Sequence, residues 1–451
     1  MRALSGFLFV ASCGLLSSLA AASSTAIEYF HAGFGHYFVT ASPPEIAGLD
    51  AGTPPGWSRT GESFGVPALN TPGSSNVCRF WSGQTFAPQS SHFYTPFASE
   101  CALVKGDPDW LFENEAFAMP LPDAAGTCGG GMVPLYRLYN NGQSGAPNHR
   151  YTTRPSIRSA MLAQGWIAEG SGIGVIGCAP PATPVTIVAA GDIAQCFNTP
   201  AATSAAATTA ALVTPQDALV LTLGDNTYDY GRPEEFTDCF HPTWGAFKDR
   251  IRPAIGNHEY GTPGADGYFG YFGAQAGSDR SGYYSFDFGG WHFISLNSMI
   301  DTSPQSEQYL WLAADLANSR DTLCTIAYWH YPMYSSGVRH GSYPKMAKFF
   351  EALHAAGVDI VLSGDEHFYE RFAPQNAAGT LDRARGIRQF VVGTGGAGLY
   401  AMGSPLPNSE VRDNSTHGVL RLTLEQGSYS WQFMPVGGGP ARDTGVDGCH
   451  R

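Results

Sequence analysis

Seven residues able to hold metal ions stand at the carboxyl ends of five apolar runs: Asp192, Asp225 with Tyr228, Asn257, His330, and Asp365 with His367. Four of the runs stop at glycine, in Gly191-Asp192, Gly224-Asp225, Gly256-Asn257 and Gly364-Asp365. Polar residues at buried strand ends are where α/β proteins place their ligands. A single Gly-Asp is more often a turn than a ligand pair, so the weight lies in the recurrence. Two cations about 3.5–4 Å apart need a carboxylate between them and O and N donors from several strands. Asp225 is the natural bridge.

These residues require elements that deliver them to one edge. Strands are expected at 185–190, 219–223, 252–255, 322–328 and 359–363. A helix should follow the first strand, with Thr199 as its cap and Pro200 as its first residue. A hairpin is expected over Gly289-Gly290, pairing 283–288 with 291–297. The run from Pro304 to Asn318 reads as a helix capped by Ser303 with Tyr309, Leu312 and Leu316 inward, and a second helix is expected at 345–356. The tail is a run of strands at 387–392, 418–424 and 429–435. Strands alternating with helices, then strands alone, give an α/β (α+β sandwich) class of two packed sheets with helices outside.

The ordered blocks Gly-Asp-x-Ala, Gly-Asp-x-x-Tyr, Gly-Asn-His-Glu, a strand-end His and Gly-x-x-His resemble the calcineurin-like metallophosphoesterases, and within them the purple acid phosphatase branch. The resemblance runs from about Val185 to the C-terminus and implies a four-layer αββα domain with two metal ions. It implies Asp192, Tyr228 and His367 at the first metal, Asn257 and His330 at the second, and hydrolysis of phosphate mono- or diesters through a metal-bound hydroxide. Most members carry Asp-x-His in the first block, where this chain has Ala194, and Tyr228 replaces that ligand. A phenolate favours Fe(III), with Fe(II), Mn(II) or Zn(II) at the second site. The last block usually reads Gly-His-x-His, but this chain has Asp365. Either Asp365 coordinates and shifts preference toward Fe(II), Mn(II) or Mg(II) rather than Zn(II), or the second site is weakened and activity reduced; the alternative for the whole protein is a non-catalytic binder with a degenerate metal site. We expect coordination. His258 is expected beside the phosphate as charge stabiliser or leaving-group acid, and His340 and His241 are candidate proton donors. His292 and His354 read as structural, and Glu370 and Arg371 as loop supports.

The first half repeats itself. His36-Tyr37-Phe38, His92-Phe93-Tyr94 and His149-Arg150-Tyr151 each follow an aromatic strand and precede a tryptophan, Trp57, Trp110 and Trp166. Three units that cannot bury a face alone are expected to close as a β-trefoil-like domain over 23–178. The pattern resembles a secreted bacterial repeat of unknown function found joined to hydrolases. The three histidines read as equivalent packing residues, and the aromatic surface suggests cell-wall or glycan attachment. A linker at 179–184, with three prolines, leads into the phosphoesterase domain at 185–451.

A basic start, the apolar Phe7 to Leu19 and small residues to Ser24 read as a signal peptide over 1–22, directing the chain outside the cell or to the periplasm. Lipid attachment at Cys13 is the lesser alternative. No further apolar run is long enough to span a membrane, and the mature protein is expected to be soluble. Net charge is −13 without a basic run, which argues against a nucleic-acid surface. The other eight cysteines divide evenly between the halves, as intradomain disulfides would. Four cysteines allow three pairings in each half, and we expect Cys78–Cys101, Cys128–Cys178, Cys196–Cys239 and Cys324–Cys449.

Overall fold

A computed structural model describes residues 23–87, 89–180, 184–319 and 324–450. The signal-like segment with Cys13, and residues 181–183 of the linker, lie outside the described residues. Contacts divide the chain near Pro180 into two compact units, with Thr60–Ser63 and Arg154–Ala160 grouping with the second.

The first unit consists of three strand–strand–helix–strand repeats. They comprise Ser23–His31, His36–Thr40, helix Pro43–Asp50 and Trp57–Pro67, then Ser75–Trp81, His92–Thr95, helix Ala98–Val104 and Leu111–Met119. The third has Val133–Tyr139, His149–Thr152, helix Pro155–Ala163, Ile167–Glu169 and Val175–Ala179. Each repeat forms its own antiparallel sheet around its first strand. The trefoil expectation is therefore corrected: among the described residues, no sheet joins strands of two repeats. The repeats meet through side chains, with Val39, Tyr94 and Tyr151 in one buried cluster. The Tyr94 hydroxyl donates to the Val39 carbonyl, and the Tyr151 hydroxyl to the Tyr94 carbonyl at 3.4 Å.

Strand pairing also revises the repeat alignment. Trp81 pairs with His92 and Tyr139 with His149, but Phe30 pairs with Tyr37, so Tyr37 holds the position that His36 was expected to hold. His92 and His149 pair with Glu113 and Glu169, both at 3.4 Å, whereas His36 meets the Ser90 carbonyl at 2.9 Å. These are separate packing roles. Ion pairs link successive repeats, Arg79 with Glu45 at 2.9 Å and Arg137 with Glu100 at 2.8 Å. Glu28 occupies the strand position of those arginines and pairs with Arg150 at 3.0 Å, reversing the charges between the first and third repeats.

In the second unit two sheets face each other. The six-stranded sheet has the order Ile251–Ala254, Asp217–Leu223, Val185–Ala190, Gly418–Glu425, Ser428–Pro435 and Asp443–Gly448. The seven-stranded sheet runs Tyr284–Phe288, Trp291–Ser295, Cys324–Tyr328, Ile360–Ser363, Arg388–Val392, Tyr369–Phe372 and Ser409–Asp413. The strands that end in the chemical residues run parallel to one another within each sheet and are largely buried, although Val185–Ala190 also pairs antiparallel with Gly418–Glu425. Helices Glu307–Asn318 and Ala347–Ala356 place Leu312, Leu316, Phe349, Phe350 and Leu353 against one sheet. Helices Ala205–Ala210 and Asp266–Phe272 contribute Ala206, Ala210, Tyr268, Phe269 and Phe272 to the core of the other.

Helix starts differ from expectation. The helix after the first strand begins at Ala205 and is capped by Ser204, whose hydroxyl accepts the Ala207 amide at 3.2 Å; Thr199 is not its cap. Likewise Ser306 replaces Ser303 as cap of the helix at Glu307, accepting the Tyr309 amide at 3.1 Å. The later helix begins at Ala347, after a 3-10 turn over Pro344–Met346. All four expected disulfides are present: Cys78–Cys101, Cys128–Cys178, Cys196–Cys239 and Cys324–Cys449. Among the described residues, no helix is long and apolar enough to cross a membrane.

Candidate metal centre

The five strand ends converge. Asp192, Asp225 and Asp365 each leave their strand with positive φ, at 59°, 48° and 68°, a region Asp tolerates better than most residues. The turn turns each carboxylate back toward its neighbours. Glycine makes the crowding possible: a Cβ at Gly256 would lie 2.2 Å from Asp225 Oδ1, and one at Gly224 would lie 2.5 Å from His330 Nδ1.

Around Asp192, the Tyr228 hydroxyl stands 3.0 Å from Asp192 Oδ1 and 3.2 Å from His367 Nε2, and His367 Nε2 stands 3.3 Å from Asp192 Oδ1. Ala194 contributes its carbonyl, which accepts the Tyr228 amide at 3.1 Å. Around His330, Nε2 lies 3.2 Å from Asn257 Oδ1, 3.3 Å from Asp225 Oδ2 and 3.6 Å from Asp365 Oδ1. Ligand atoms of Asp192, Asp225 and His330 all fall within 4.8 Å of one another. Asp225 thus stands between two donor groups.

Both histidines are oriented by backbone. His330 Nδ1 meets the Leu223 carbonyl at 2.9 Å, and His367 Nδ1 meets the Gly398 carbonyl at 2.7 Å. A ring that donates from Nδ1 presents an Nε2 lone pair when neutral, the form that binds metals. Burial raises the Asp225 carboxyl, but the charges of His330 and His258 outweigh it and hold the group near 2. Burial dominates at Asp365 and raises it to about 6 against the pull of His330. The Tyr228 phenol is raised well above its ordinary value by burial, with Asp192 and Asp225 adding to it. Asp365 Oδ2 is buried without a standard hydrogen bond, although the Tyr343 hydroxyl beside it is raised by burial and by the Asp365 charge.

Three carboxylates, a phenol, two imidazoles and one amide oxygen make a donor set suited to hard cations. One group is Asp192, Tyr228 and His367, the other Asn257, His330 and Asp365, with Asp225 common to both. A second cluster, Cys324, Asp359 and Cys449, is not comparable because its cysteines form a disulfide.

The expected proton donors separate. His258 is the half-buried one at the open side, with Nε2 3.7 Å from Asp225 Oδ2 and Nδ1 held by the Asp229 carbonyl at 2.6 Å. His340 is exposed; its ring lies 5.8 Å from that of Tyr400, which stacks on His367 at 3.8 Å. His241 bonds the Tyr271 hydroxyl at 3.0 Å, and among the described residues none of its contacts is with a candidate ligand. His292 is structural as expected, between Asp287 at 2.7 Å and Asp315 at 2.8 Å, and His354 pairs with Asp382 at 3.3 Å. Glu370 accepts the Ser336 amide at 2.8 Å, and Arg371 pairs with Asp443 at 2.6 Å, both away from the centre.

One residue escaped the sequence reading. Glu259 is fully buried and accepts the amides of Gly256 at 2.7 Å, Asn226 at 2.6 Å and Asp225 at 3.1 Å. It thereby ties the Asp225 loop to the Asn257 loop. The only signal was its place after Asn257-His258.

Residues 179–369 match the calcineurin-like phosphoesterase family, and residues 25–176 match a domain of unknown function, DUF5648. Purple acid phosphatase 22 of Arabidopsis thaliana is 30% identical over 284 residues, covering 56% of this chain and 61% of its own. Purple acid phosphatase 15 of the same plant is 30% identical over 227 residues, 43% of this chain and 42% of its own. The chain thus spans less than two thirds of either relative. A purple acid phosphatase structure from yellow lupin seeds aligns over 86% of this chain and 71% of its own, with 16% identity and a TM-score of 0.47.

Proposed function

From a chain that carries a calcineurin-like phosphoesterase domain behind a DUF5648 domain, we propose a secreted phosphoesterase with a two-metal centre, acting on phosphate mono- or diesters. The observation that carries this reading is Asp225, whose Oδ2 lies 3.3 Å from His330 while Asp192 and His330 offer ligand atoms within 4.8 Å of it. Asp192, Tyr228 and His367 would hold one cation, and Asn257, His330 and Asp365 the other, with Asp225 shared. Cations so held supply charge neutralisation for the phosphate and lower the pKa of water at neutral pH.

The chain's own residues do the rest. Tyr228 in place of the usual histidine favours Fe(III) at the first position, and Asp365 favours Fe(II) or Mn(II) over Zn(II) at the second. His258 Nδ1 is engaged with the Asp229 carbonyl at 2.6 Å, which leaves Nε2 on the open side to donate a proton to the leaving oxygen or to face the phosphate charge. His340 is the outer candidate for proton delivery, on a loop backed by Glu366. The repeat unit is proposed to attach the enzyme to cell wall or glycan, and the four disulfides suit an oxidising compartment.

The test is hydrolysis of p-nitrophenyl phosphate and its bis ester, with metal analysis. Absence of turnover of both after reconstitution with Fe, Mn or Zn would defeat the enzyme reading. Tyr228→Phe should abolish a visible charge-transfer band; a band that survives places the phenol off the metal. Secretion is read by N-terminal sequencing of exported protein, and attachment by pull-down of residues 23–180 on insoluble polysaccharide.

A further inference from the structure

Two cations flank the metal centre, each mounted on an aromatic ring that packs beside a candidate histidine ligand. On one side the Arg339 guanidinium lies 4.2 Å from the centroid of Tyr400, whose ring also stacks on that of His367 at 3.8 Å and 13°. On the other side Lys345 Nζ lies 4.3 Å from the centroid of Tyr331. Tyr331 is His330's neighbour in the chain, its ring 5.4 Å from the imidazole, and it stacks on Tyr343 at 4.0 Å and 1°. The two arrangements are alike although they come from different parts of the loop and helix region 337–347.

Among the described residues, Arg339 and Lys345 take part in no ion pair, although the Asp365 carboxylate is a charged neighbour of Lys345. Both are exposed, so both are open to a ligand. The Arg339 loop is also fixed with respect to the centre. Glu366, between the candidate ligands Asp365 and His367, accepts the His340 amide at 3.0 Å and the Gly341 amide at 2.5 Å. The loop's Gly337 pairs with Met402, two residues beyond Tyr400. Aromatic faces hold cations in place without consuming their hydrogen-bond donors.

We propose that Arg339 and Lys345 are specificity-determining residues that select phosphate compounds carrying a second anionic group, a phosphate or carboxylate, next to the phosphate that is cleaved. The inference rests on the phosphoesterase reading of the centre. The cleaved phosphate occupies the buried donor cluster, and each cation stands one ring farther out, where an adjoining anion of the same molecule arrives. Arg339 offers a planar fork for such an anion and Lys345 a point charge.

The test compares two compounds that differ in the second anion, phosphoglycolate and ethyl phosphate, on the metal-loaded full chain. A hydrogen bond to a charged group is worth about tenfold or more in binding. Arg339→Gln and Lys345→Gln should each raise KM for phosphoglycolate by about tenfold while leaving ethyl phosphate within about twofold. Arg339→Lys should restore part of the loss. Equal effects on both compounds, or none on either, overturn the proposal. Calorimetry of the parent protein gives an arm independent of turnover and of the variants' folding. Pyrophosphate should bind at least about tenfold more tightly than orthophosphate, and equal affinity also overturns the proposal. If neither ester is hydrolysed but pyrophosphate is preferred, the phosphoesterase reading fails and the cation pair stands as a binding site.

Discussion

Replacing Glu259 by Gln tests whether the centre is organised from behind. The carboxylate accepts four hydrogen bonds, from the amides of Asp225, Gly256 and Asn226 and from the Asn226 side chain at 3.3 Å. Glutamine keeps the shape but turns one oxygen into a donor, so two of the four bonds are lost and an N–H faces N–H groups in a fully buried place. Each buried amide left without its acceptor costs about 1–3 kcal/mol, which makes the expected loss of stability about 2–6 kcal/mol. The same bonds fix the loops bearing Asp225 and Asn257, and loss of such supporting contacts costs about 10–100-fold in metal affinity. Guanidinium denaturation reads the first quantity, and metal retained after dialysis against graded chelator reads the second. A Glu259→Gln protein within about 1 kcal/mol of the parent that holds metal equally well would refute the reasoning.

Other consequences are open to simple measurement. His292 is raised to about 9 because Asp287 and Asp315 outweigh the burial that would lower it. Its folded pKa lies above the unfolded value of about 6.5, so its contribution of about 3 kcal/mol is complete below pH 6.5 and lost as pH rises through 9. Urea midpoints of parent and His292→Gln should differ most at pH 6 and converge by about pH 10; a gap independent of pH would contradict this. Gly224→Ala meets a φ of +87° and His330 Nδ1 at 2.5 Å, and should cost about tenfold or more in metal affinity, measured by competition with a chelating dye. Removing Cys324–Cys449, which closes a separation of 125 residues, should lower stability by about 5 kcal/mol, read as the denaturation midpoint of the double alanine variant.

The centre was legible because its residues obey a local rule: an apolar strand, a glycine, then a donor. That rule located Asp192, Asp225, Asn257 and Asp365 without any knowledge of sheet order. It could not locate Glu259, whose role depends on three amides brought together from two loops. Strands Ser409–Asp413 and Asp443–Gly448 were missed for a related reason. They are polar edge strands, held by pairing with a neighbour rather than by burial of an apolar face. Helix starts failed where two serines competed. Ser303 precedes a proline and Ser306 precedes Glu307, and only packing of Leu312 and Leu316 decides between them. The trefoil expectation failed because repetition in sequence fixes how many units exist, not how their backbones pair.

The reversed pair Glu28–Arg150 gives the repeat unit a seam. Where the two other junctions set a strand arginine against a helix glutamate, this one sets a strand glutamate against an arginine of the third repeat's second strand. The repeats are therefore not interchangeable. A middle repeat copied into the first place would bring an arginine against Arg150, two like charges at a junction that is buried on the Glu28 side. The first and last repeats are matched ends, so the sequence carries a count of three and a signal to close.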